Sequence, residues 1–183
     1  MASRDELTAL LAAHEPADGE EAGDLERMRA WAATLERPFS RDEPDAHFTA
    51  SAVLVDEAGE RTLLVHHRRS GGWFQPGGHF EPGDRSPAEA ALREAREETG
   101  LDVRLAGPGL LDVDVHWIPW DEHHHLDLRF LVAAAGELAP DPAEVHSAEW
   151  LTWDDAFARI DEPALRRALA KARLEAADGR LGQ

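Results

Sequence analysis

Three glutamates near the middle of the chain, Glu94, Glu97 and Glu98, have the residue type and the spacing to bind a divalent cation. On an α-helix, residues three and four positions apart are neighbours, so these carboxylates would share one surface. Carboxylate and carbonyl oxygens are the ligands that Mg²⁺ prefers in proteins. The plainer alternative is a solvated helix face on which Arg93 and Arg96 neutralise the acids as ordinary ion pairs.

Two adjacent glycines, Gly77 and Gly78, precede this acidic surface and favour the cation site over the plain charged face. Because they lack Cβ atoms, they let a backbone carbonyl approach an ion closely. A site made only of carboxylate and carbonyl oxygens suits a hard cation. The sequence therefore predicts a magnesium-type site built by a glycine turn and an acidic helix.

A helix over residues 86–100 is predicted to present the glutamates. Ser86 is a suitable N-cap, Pro87 fits the first helical position, and Glu89, three residues after the cap, completes a capping box. Gly100 supplies the stop. At 100° per residue, an apolar stripe is predicted on the side away from the glutamates: Ala88, Ala91, Leu92, Ala95 and Thr99.

The stretch from Gly77 to Leu101 resembles the signature of the Nudix hydrolases, GX5EX7REUXEEXGU, in which U is a bulky aliphatic residue. The second half matches from Arg93 onward, with the small Ala95 at a U position. The first half departs from the pattern, because Asp84 stands where the family has Glu and eight residues rather than seven separate it from Arg93. The extra residue precedes the helix cap, so it lengthens a loop and keeps the register of the glutamates. Asp84 is expected to support Arg93 from outside the ligand set of the metal.

The resemblance implies a fold, a reaction and a cofactor. Nudix proteins fold as an α/β/α sandwich around a mixed β-sheet, and they generally hydrolyse a nucleoside diphosphate linked to another moiety. A divalent ion, Mg²⁺ or alternatively Mn²⁺, neutralises phosphate oxygens and lowers the pKa of a bound water in such chemistry. By the family's pattern, the metal ligands would be the carbonyl of Gly77 with the catalytic acids Glu94, Glu97 and Glu98.

A further acid from a loop beyond the sheet often serves this family as a general base or a fourth acidic ligand. Glu144 is the candidate, because it precedes a predicted strand at Glu149 and Trp150 by a gap similar to that in the oxidised-nucleotide branch of the family. Asp141 is close enough to substitute for it, and Glu81 in the glycine loop is a weaker rival. A solvated loop acid without a catalytic role is an equal alternative.

Strand and helix patterns outside the motif agree with an α/β/α sandwich. Residues 47–56 and 61–67 are apolar or β-branched runs separated by a turn, which predicts a buried hairpin. Residues 111–117 and 126–132 alternate between apolar and polar, which predicts two half-buried strands that pair with each other. Thr152 caps a predicted helix, and a last helix is predicted over residues 161–175.

Residues 1–46 are predicted to form a helical extension to a Nudix domain that spans residues 47–183. Two segments with helical spacing predict a hairpin; the first begins at a capping box from Ser3 to Glu6, and the second ends before Pro38. Each helix carries only a narrow apolar stripe, so the hairpin is expected to dock on the sheet domain or on a second subunit. A homodimer is therefore one of two expected arrangements.

The predicted sheet carries polar and aromatic residues that could contact a substrate. Arg129, beside Asp127, could pair with a phosphate, or it could form a cross-strand ion network with Asp112 or Asp114 that needs no ligand. Trp117 and Trp120 lie near the expected mouth of the site and could stack on a base. The histidines at residues 123–125 are not predicted to form a metal site, because consecutive residues of a strand face opposite sides.

Composition narrows the choice of partners. The net charge of −18 argues against a protein that coats nucleic acid, so a small phosphorylated substrate is expected, with metal ions reversing the local field. The chain has no cysteine, whereas the Nudix-type prenyl diphosphate isomerases use one. A catalytically silent ligand sensor is a second alternative, although loss of the helix glutamates would be expected there. Neither a membrane span nor a secretory signal is visible, so a cytoplasmic protein is expected.

Overall fold

The computed structural model describes residues 2–120, 122–143, 145–179 and 181. Its helices are α1 (Arg4–Ala13), α2 (Gly19–Thr34), α3 (Pro87–Thr99), α4 (Trp153–Arg159) and α5 (Pro163–Ala177). Its strands are β1 (Ala46–Asp56), β2 (Arg61–His67), β3 (Trp73–Phe74), β4 (Gly77–His79), β5 (Asp102–Ile118), β6 (His123–Ala135) and β7 (Val145–Thr152). Among the residues described, no helix has the length and apolar character needed to cross a membrane.

The strands form one mixed sheet in which β3, β2, β1, β6 and β5 lie side by side, while β4 pairs with β1 and β7 pairs with β2. Strands β1 and β6 run parallel, with His47 opposite His125 and Ser51 opposite Arg129. The β1–β2 hairpin and the β5–β6 pair are antiparallel. The predicted mixed sheet, the predicted hairpin and the pairing of the two alternating runs are confirmed.

Helices cover both faces of this sheet, as an α/β/α sandwich requires. On one face, α1, α2 and α3 pack over a core that includes Leu7, Met28, Phe48, Ala91 and Leu128. On the other face, α4 and α5 pack over a core that includes Val53, Leu131, Trp153, Leu165 and Leu169. Alternate residues of β1 and β6 divide between the two cores, because successive side chains of a strand point to opposite faces.

The N-terminal helices dock on the sheet of their own chain, one of the two expected arrangements. Helix α2 lies along β5, and its acids bind the backbone of that strand. Glu21 accepts the N–H of Val113 at 3.3 Å, and Asp24 accepts the N–H of Val115 at 3.3 Å. Residues of α1 and α2 thereby share one apolar core with the sheet.

A buried charged cluster holds α2 against β5 and α5. The side chain of Glu21 is 0% exposed, accepts hydrogen bonds from Lys171 Nζ at 2.5 Å and the Ala17 N–H at 2.6 Å, and lies 2.7 Å from His14 Nε2. Lys171 also lies 3.3 Å from Asp112. Burial alone would raise the pKa of Glu21, but hydrogen bonds from His14, Ala17 and Lys171 outweigh burial and hold that pKa well below its usual range.

We expect this cluster to make the protein sensitive to acid. A carboxyl group whose pKa is lowered by folding stabilises the fold above its unfolded pKa of about 4.3, and the stabilisation is lost as the pH falls toward the folded pKa. The free energy of unfolding, measured by urea denaturation from about pH 6 to pH 3, should therefore fall more steeply for the wild type than for Glu21→Gln. Parallel pH profiles of the two proteins would contradict this assignment.

Candidate functional site

Helix α3 begins and ends where the sequence predicts. Ser86 Oγ accepts the N–H of Glu89 at 3.1 Å, and Gly100 ends the helix with a left-handed φ of 73°. The other half of the capping box differs, because Glu89 Oε2 accepts the N–H of Arg85 at 3.0 Å. Arg85 lies within the stretch that is one residue longer than the family's pattern. The hydrogen bond from its N–H to Glu89 therefore holds the longer loop against the first turn of the helix.

The three predicted ligands of α3 differ in their surroundings. Glu94 and Glu98 are 9% and 3% exposed, whereas Glu97 is exposed. The prediction that all three lie opposite the apolar stripe is wrong for Glu94 and Glu98. They follow Ala91 by three and seven positions, which places them on the flank of the stripe and turns them toward the protein interior. Two of the three carboxylates are thus held in a region where water competes weakly for an ion.

Strand β4 contributes two glycines, Gly77 and Gly78, and Gly78 lies against Glu94. Gly78 lies so close to this glutamate that a Cβ added to the glycine would be 2.6 Å from Glu94 Oε1. A Cβ on Gly77 would collide with the hydroxyl group of Ser51, its partner on β1. A side chain at Gly77 would collide with the backbone of β1, and a side chain at Gly78 would displace the carboxylate of Glu94. The close approach of backbone and carboxylate gives an all-oxygen donor set. Such a donor set fits a hard divalent cation.

Arg93 binds three acidic side chains at once, those of Asp84, Glu94 and Glu97. Its guanidinium group donates to both carboxylate oxygens of Asp84 at 3.1 Å, to Glu94 at 2.9 Å and to Glu97 at 2.8 Å. It also donates to the carbonyl of His79 at 2.8 Å. Burial alone would lower the pKa of Arg93, but the bond to Asp84, and then those to the glutamates, raise it. The contact expected between Asp84 and Arg93 is confirmed, and the positive charge of Arg93 offsets the repulsion among the carboxylates that it binds.

A loop variant tests this division between supporting residues and ligands. Deleting Arg85 together with Asp84→Glu restores the family's spacing and leaves the Ser86 cap, worth about 1 kcal/mol, in place. The lost ion pair between Arg85 and Glu89 is exposed and contributes little. We expect a melting temperature close to that of Arg85→Ala, the control, and a loss of turnover smaller than that of Glu98→Gln. A variant that melts normally yet is as inactive as Glu98→Gln would show that Asp84 binds the metal or that Arg85 contacts the substrate directly.

The face of the sheet turned away from α3 carries a polar network centred on Asp127. Its carboxylate accepts hydrogen bonds from Ser51 at 2.7 Å, Thr49 at 3.1 Å, Gln75 at 3.2 Å and Arg129 at 3.0 Å. These donors come from β1, β6 and the loop before β4, so the network fixes β4 relative to the two central strands.

Arg129 is buried in this network rather than open to a ligand. Besides Asp127 it binds Asp112 at 3.2 Å and Asp114 at 3.0 Å, and its side chain is only 3% exposed. The bonds to the three carboxylates use one donor on each nitrogen of the guanidinium group. These contacts form the ion network that needs no ligand, and a contact between Arg129 and a substrate stays a prediction.

Trp117 and Trp120 are exposed large hydrophobic residues near the start of β6. The Trp117 ring meets His124 edge to face, with ring centroids 5.0 Å apart. The guanidinium carbon of Arg69 lies 5.7 Å from the Trp120 ring centroid. Both indoles keep an accessible face, so their role as stacking platforms for a base stays a prediction.

The predicted loop acid Glu144 lies outside the described residues. Its rivals Asp141 and Glu81 are both exposed. Asp141 accepts the N–H of Ala143 at 2.8 Å, which shapes the loop before β7. The choice among these acids remains a prediction.

Sequence reasoning missed a group of histidines on the polar face. The rings of His47, His79, His123 and His125 lie next to one another beside a cavity of about 340 Å³ that Arg41 helps to line. Burial, followed by the influence of His79 and the other nearby histidines, lowers the pKa of His125 to about 2. The parallel pairing of β1 with β6 places His47 beside His125, and that register is not visible in the sequence.

Comparisons with known proteins point to one family. A model of the NUDIX domain matches residues 45–172. "Probable DHNTP pyrophosphohydrolase" from Lactococcus lactis subsp. cremoris is 33% identical over 108 residues, 56% of this chain and 60% of that protein. "NAD-capped RNA hydrolase NudC" from Stutzerimonas stutzeri is 31% identical over 116 residues, 57% of this chain and 37% of that protein.

Solved structures agree with this result. The crystal structure of a NUDIX family hydrolase from Clostridium perfringens matches with a TM-score of 0.59 and 27% identity, over 70% of this chain and 97% of that one. This chain thus spans 60% or less of the two curated relatives named above, but nearly all of the structural neighbour.

Proposed function

Since the chain belongs to the NUDIX family, we propose that it is a metal-dependent hydrolase that cleaves a pyrophosphate linkage in a nucleoside diphosphate derivative. The observation that carries the proposal is the pair of buried glutamates on α3, one of which, Glu94, lies directly against Gly78 of β4. Relatives whose names denote a pyrophosphohydrolase and an RNA hydrolase support the reaction class.

The residues of α3 and β4 would hold the metal. Glu94, Glu97 and Glu98 would be the carboxylate ligands and the carbonyl of Gly77 a fourth, in a site for Mg²⁺ or Mn²⁺. When bound, such an ion neutralises phosphate oxygens and lowers the pKa of a bound water. Arg93 holds Glu94 and Glu97 in position through bonds of 2.9 and 2.8 Å, so part of the site is organised before an ion enters.

The remaining site residues would orient the substrate and move a proton. Glu144 is proposed as the general base, with Asp141 as its substitute. Trp117 and Trp120 would stack on a base, because each exposes about half of its surface. A net charge of −18 disfavours a long polyanion, so we propose a small phosphorylated substrate rather than nucleic acid.

A substrate panel tests the proposal. The protein is incubated with Mg²⁺ and nucleoside triphosphates, nucleotide sugars, dinucleotides, ADP-ribose and a capped RNA, and the products are identified by mass. Reactions run in ¹⁸O-labelled water show which phosphorus is attacked. We expect a nucleoside monophosphate among the products, and no turnover in the presence of a chelator. Turnover that persists in chelator, or no turnover of any compound, would contradict a metal-dependent pyrophosphohydrolase.

A further inference from the structure

Four histidines converge on the face of the sheet opposite α3. His47 and His125 are register partners on β1 and β6, His79 comes from β4, and His123 begins β6. The ring centroid of His47 lies 5.0 Å from that of His79, 4.6 Å from that of His123 and 4.9 Å from that of His125. Segments far apart in the sequence thus bring their imidazoles to one place.

The nitrogens are close to the spacing that a metal ion requires. One ring nitrogen from each of His47, His79 and His125 lies within 4.8 Å of the other two. Nitrogens bound at about 2.0–2.1 Å in a tetrahedral site are about 3.4 Å apart. The nitrogens need to approach one another by up to about 1.4 Å, and the broad χ2 torsion of histidine allows such a movement.

Burying the polar ring nitrogens of these histidines costs free energy unless other groups bind them. His47 is 1% exposed. The buried Nε2 of His125 has no hydrogen-bond partner within the part of the chain that the structure describes. A buried polar atom without a partner in the protein is costly, and an ion or a water can complete its bonding. The Nε2 of His125 is therefore available to a ligand.

We propose that His47, His79 and His125 form a second metal site, which takes a transition-metal dication such as Zn²⁺ rather than Mg²⁺. Imidazole ligands suit zinc, copper and nickel, whereas magnesium takes carboxylate, carbonyl and water oxygens. Consecutive residues of a strand face opposite sides, but only His125 of this site belongs to the run at residues 123–125. The other two ligands come from β1 and β4.

This second site is separate in its ligands from the glutamate site, although both include part of β4. The carbonyl of His79 accepts a hydrogen bond from Arg93, while its ring packs against His47 and His125. His47 and His79 also line the cavity of about 340 Å³, so three protein ligands leave a coordination position that faces open space. An open position of this kind is typical of zinc sites that bind a small ligand or water.

Cobalt binding tests the proposal directly. The protein, without a histidine tag and in excess Mg²⁺ to fill the glutamate site, is titrated with Co²⁺ and followed by visible absorption. We expect one equivalent to bind with the absorption of a nitrogen-ligated ion. The binding should persist in Glu98→Gln and His124→Gln, and should weaken at least tenfold in His125→Gln and His79→Gln. His124 is the matched control, because it lies in the same run but on the other face of β6.

Two results of the cobalt titration would overturn the second site. One is an unchanged cobalt titration in both His125→Gln and His79→Gln, and the other is loss of cobalt binding in Glu98→Gln. As a second measurement, Zn²⁺ should raise the melting temperature of the wild type in excess Mg²⁺, because a ligand that binds only the folded state stabilises it. The variant His79→Gln, at a half-buried position, should lose this rise even if His125→Gln folds poorly. A rise that persists in His79→Gln would also refute the proposal.

Discussion

Glu98→Gln is expected to lower kcat/KM more than about a hundredfold, which exceeds the 10–100-fold loss typical of residues that only support a metal ligand. Glu98 is 3% exposed, so it has little competing water, and the amide keeps its shape while removing the charge that an oxygen-bound ion needs. The fold should survive, since the change also removes repulsion from Glu94, four positions earlier on the helix. Steady-state kinetics with Mg²⁺ on the substrate found by the panel, together with thermal melting, measure both effects.

The matched control is Glu26→Gln, which makes the same chemical change at an exposed position of α2. It should leave turnover and melting temperature unchanged. If Glu98→Gln retains activity within about tenfold of the wild type, or if raising the Mg²⁺ concentration has no effect on either protein, Glu98 is not a metal ligand.

Glu21→Ala is expected to lower the free energy of unfolding by about 3–5 kcal/mol, the range found when one partner of a buried ion pair is removed. The alanine would leave Lys171 without its 2.5 Å partner and the Val113 N–H without its acceptor, both in a region with little water. Urea denaturation at neutral pH measures the loss. Turnover at a temperature where the variant is still folded should change little, because Glu21 binds α5 and β5 rather than the glutamates of α3.

Glu20→Ala is the control for this prediction, since Glu20 precedes Glu21 in the same first turn but is exposed. Its effect should stay within about 0.5 kcal/mol. A loss of less than about 1 kcal/mol in Glu21→Ala would show that the cluster contributes little net stability, as happens when desolvation cancels the attraction between buried charges.

Local patterns in the sequence are reliable where short-range physics decides the structure. The Ser86 cap, the Gly100 stop and the Thr152 cap lie at their predicted positions, because each depends on hydrogen bonds within one helical turn. The β1–β2 hairpin and the alternating strands follow from side-chain period and turn residues. Strand β5 is longer than predicted, since register shifts between Leu105 and Asp112 interrupt its alternation.

The parts that sequence reasoning missed depend on contacts between distant segments. Arg129 is open to two interpretations until β5 and β6 place three aspartates around it. The histidine group needs the parallel register of β1 with β6 and the short strand β4, which no periodicity reveals. The burial of Glu94 depends in addition on Gly78 of β4, which leaves space beside its carboxylate.

The contact between α2 and β5 also bears on how copies of this molecule avoid one another. Strand β5 is an edge strand of the sheet. An uncovered edge strand is a template on which another chain can add its own strand and aggregate. Glu21 and Asp24 accept hydrogen bonds from the N–H groups of Val113 and Val115 on that edge. The carboxylates of Glu21 and Asp24 thus satisfy backbone donors of the edge strand. Because these acceptors belong to side chains, they offer no backbone with which another strand could pair.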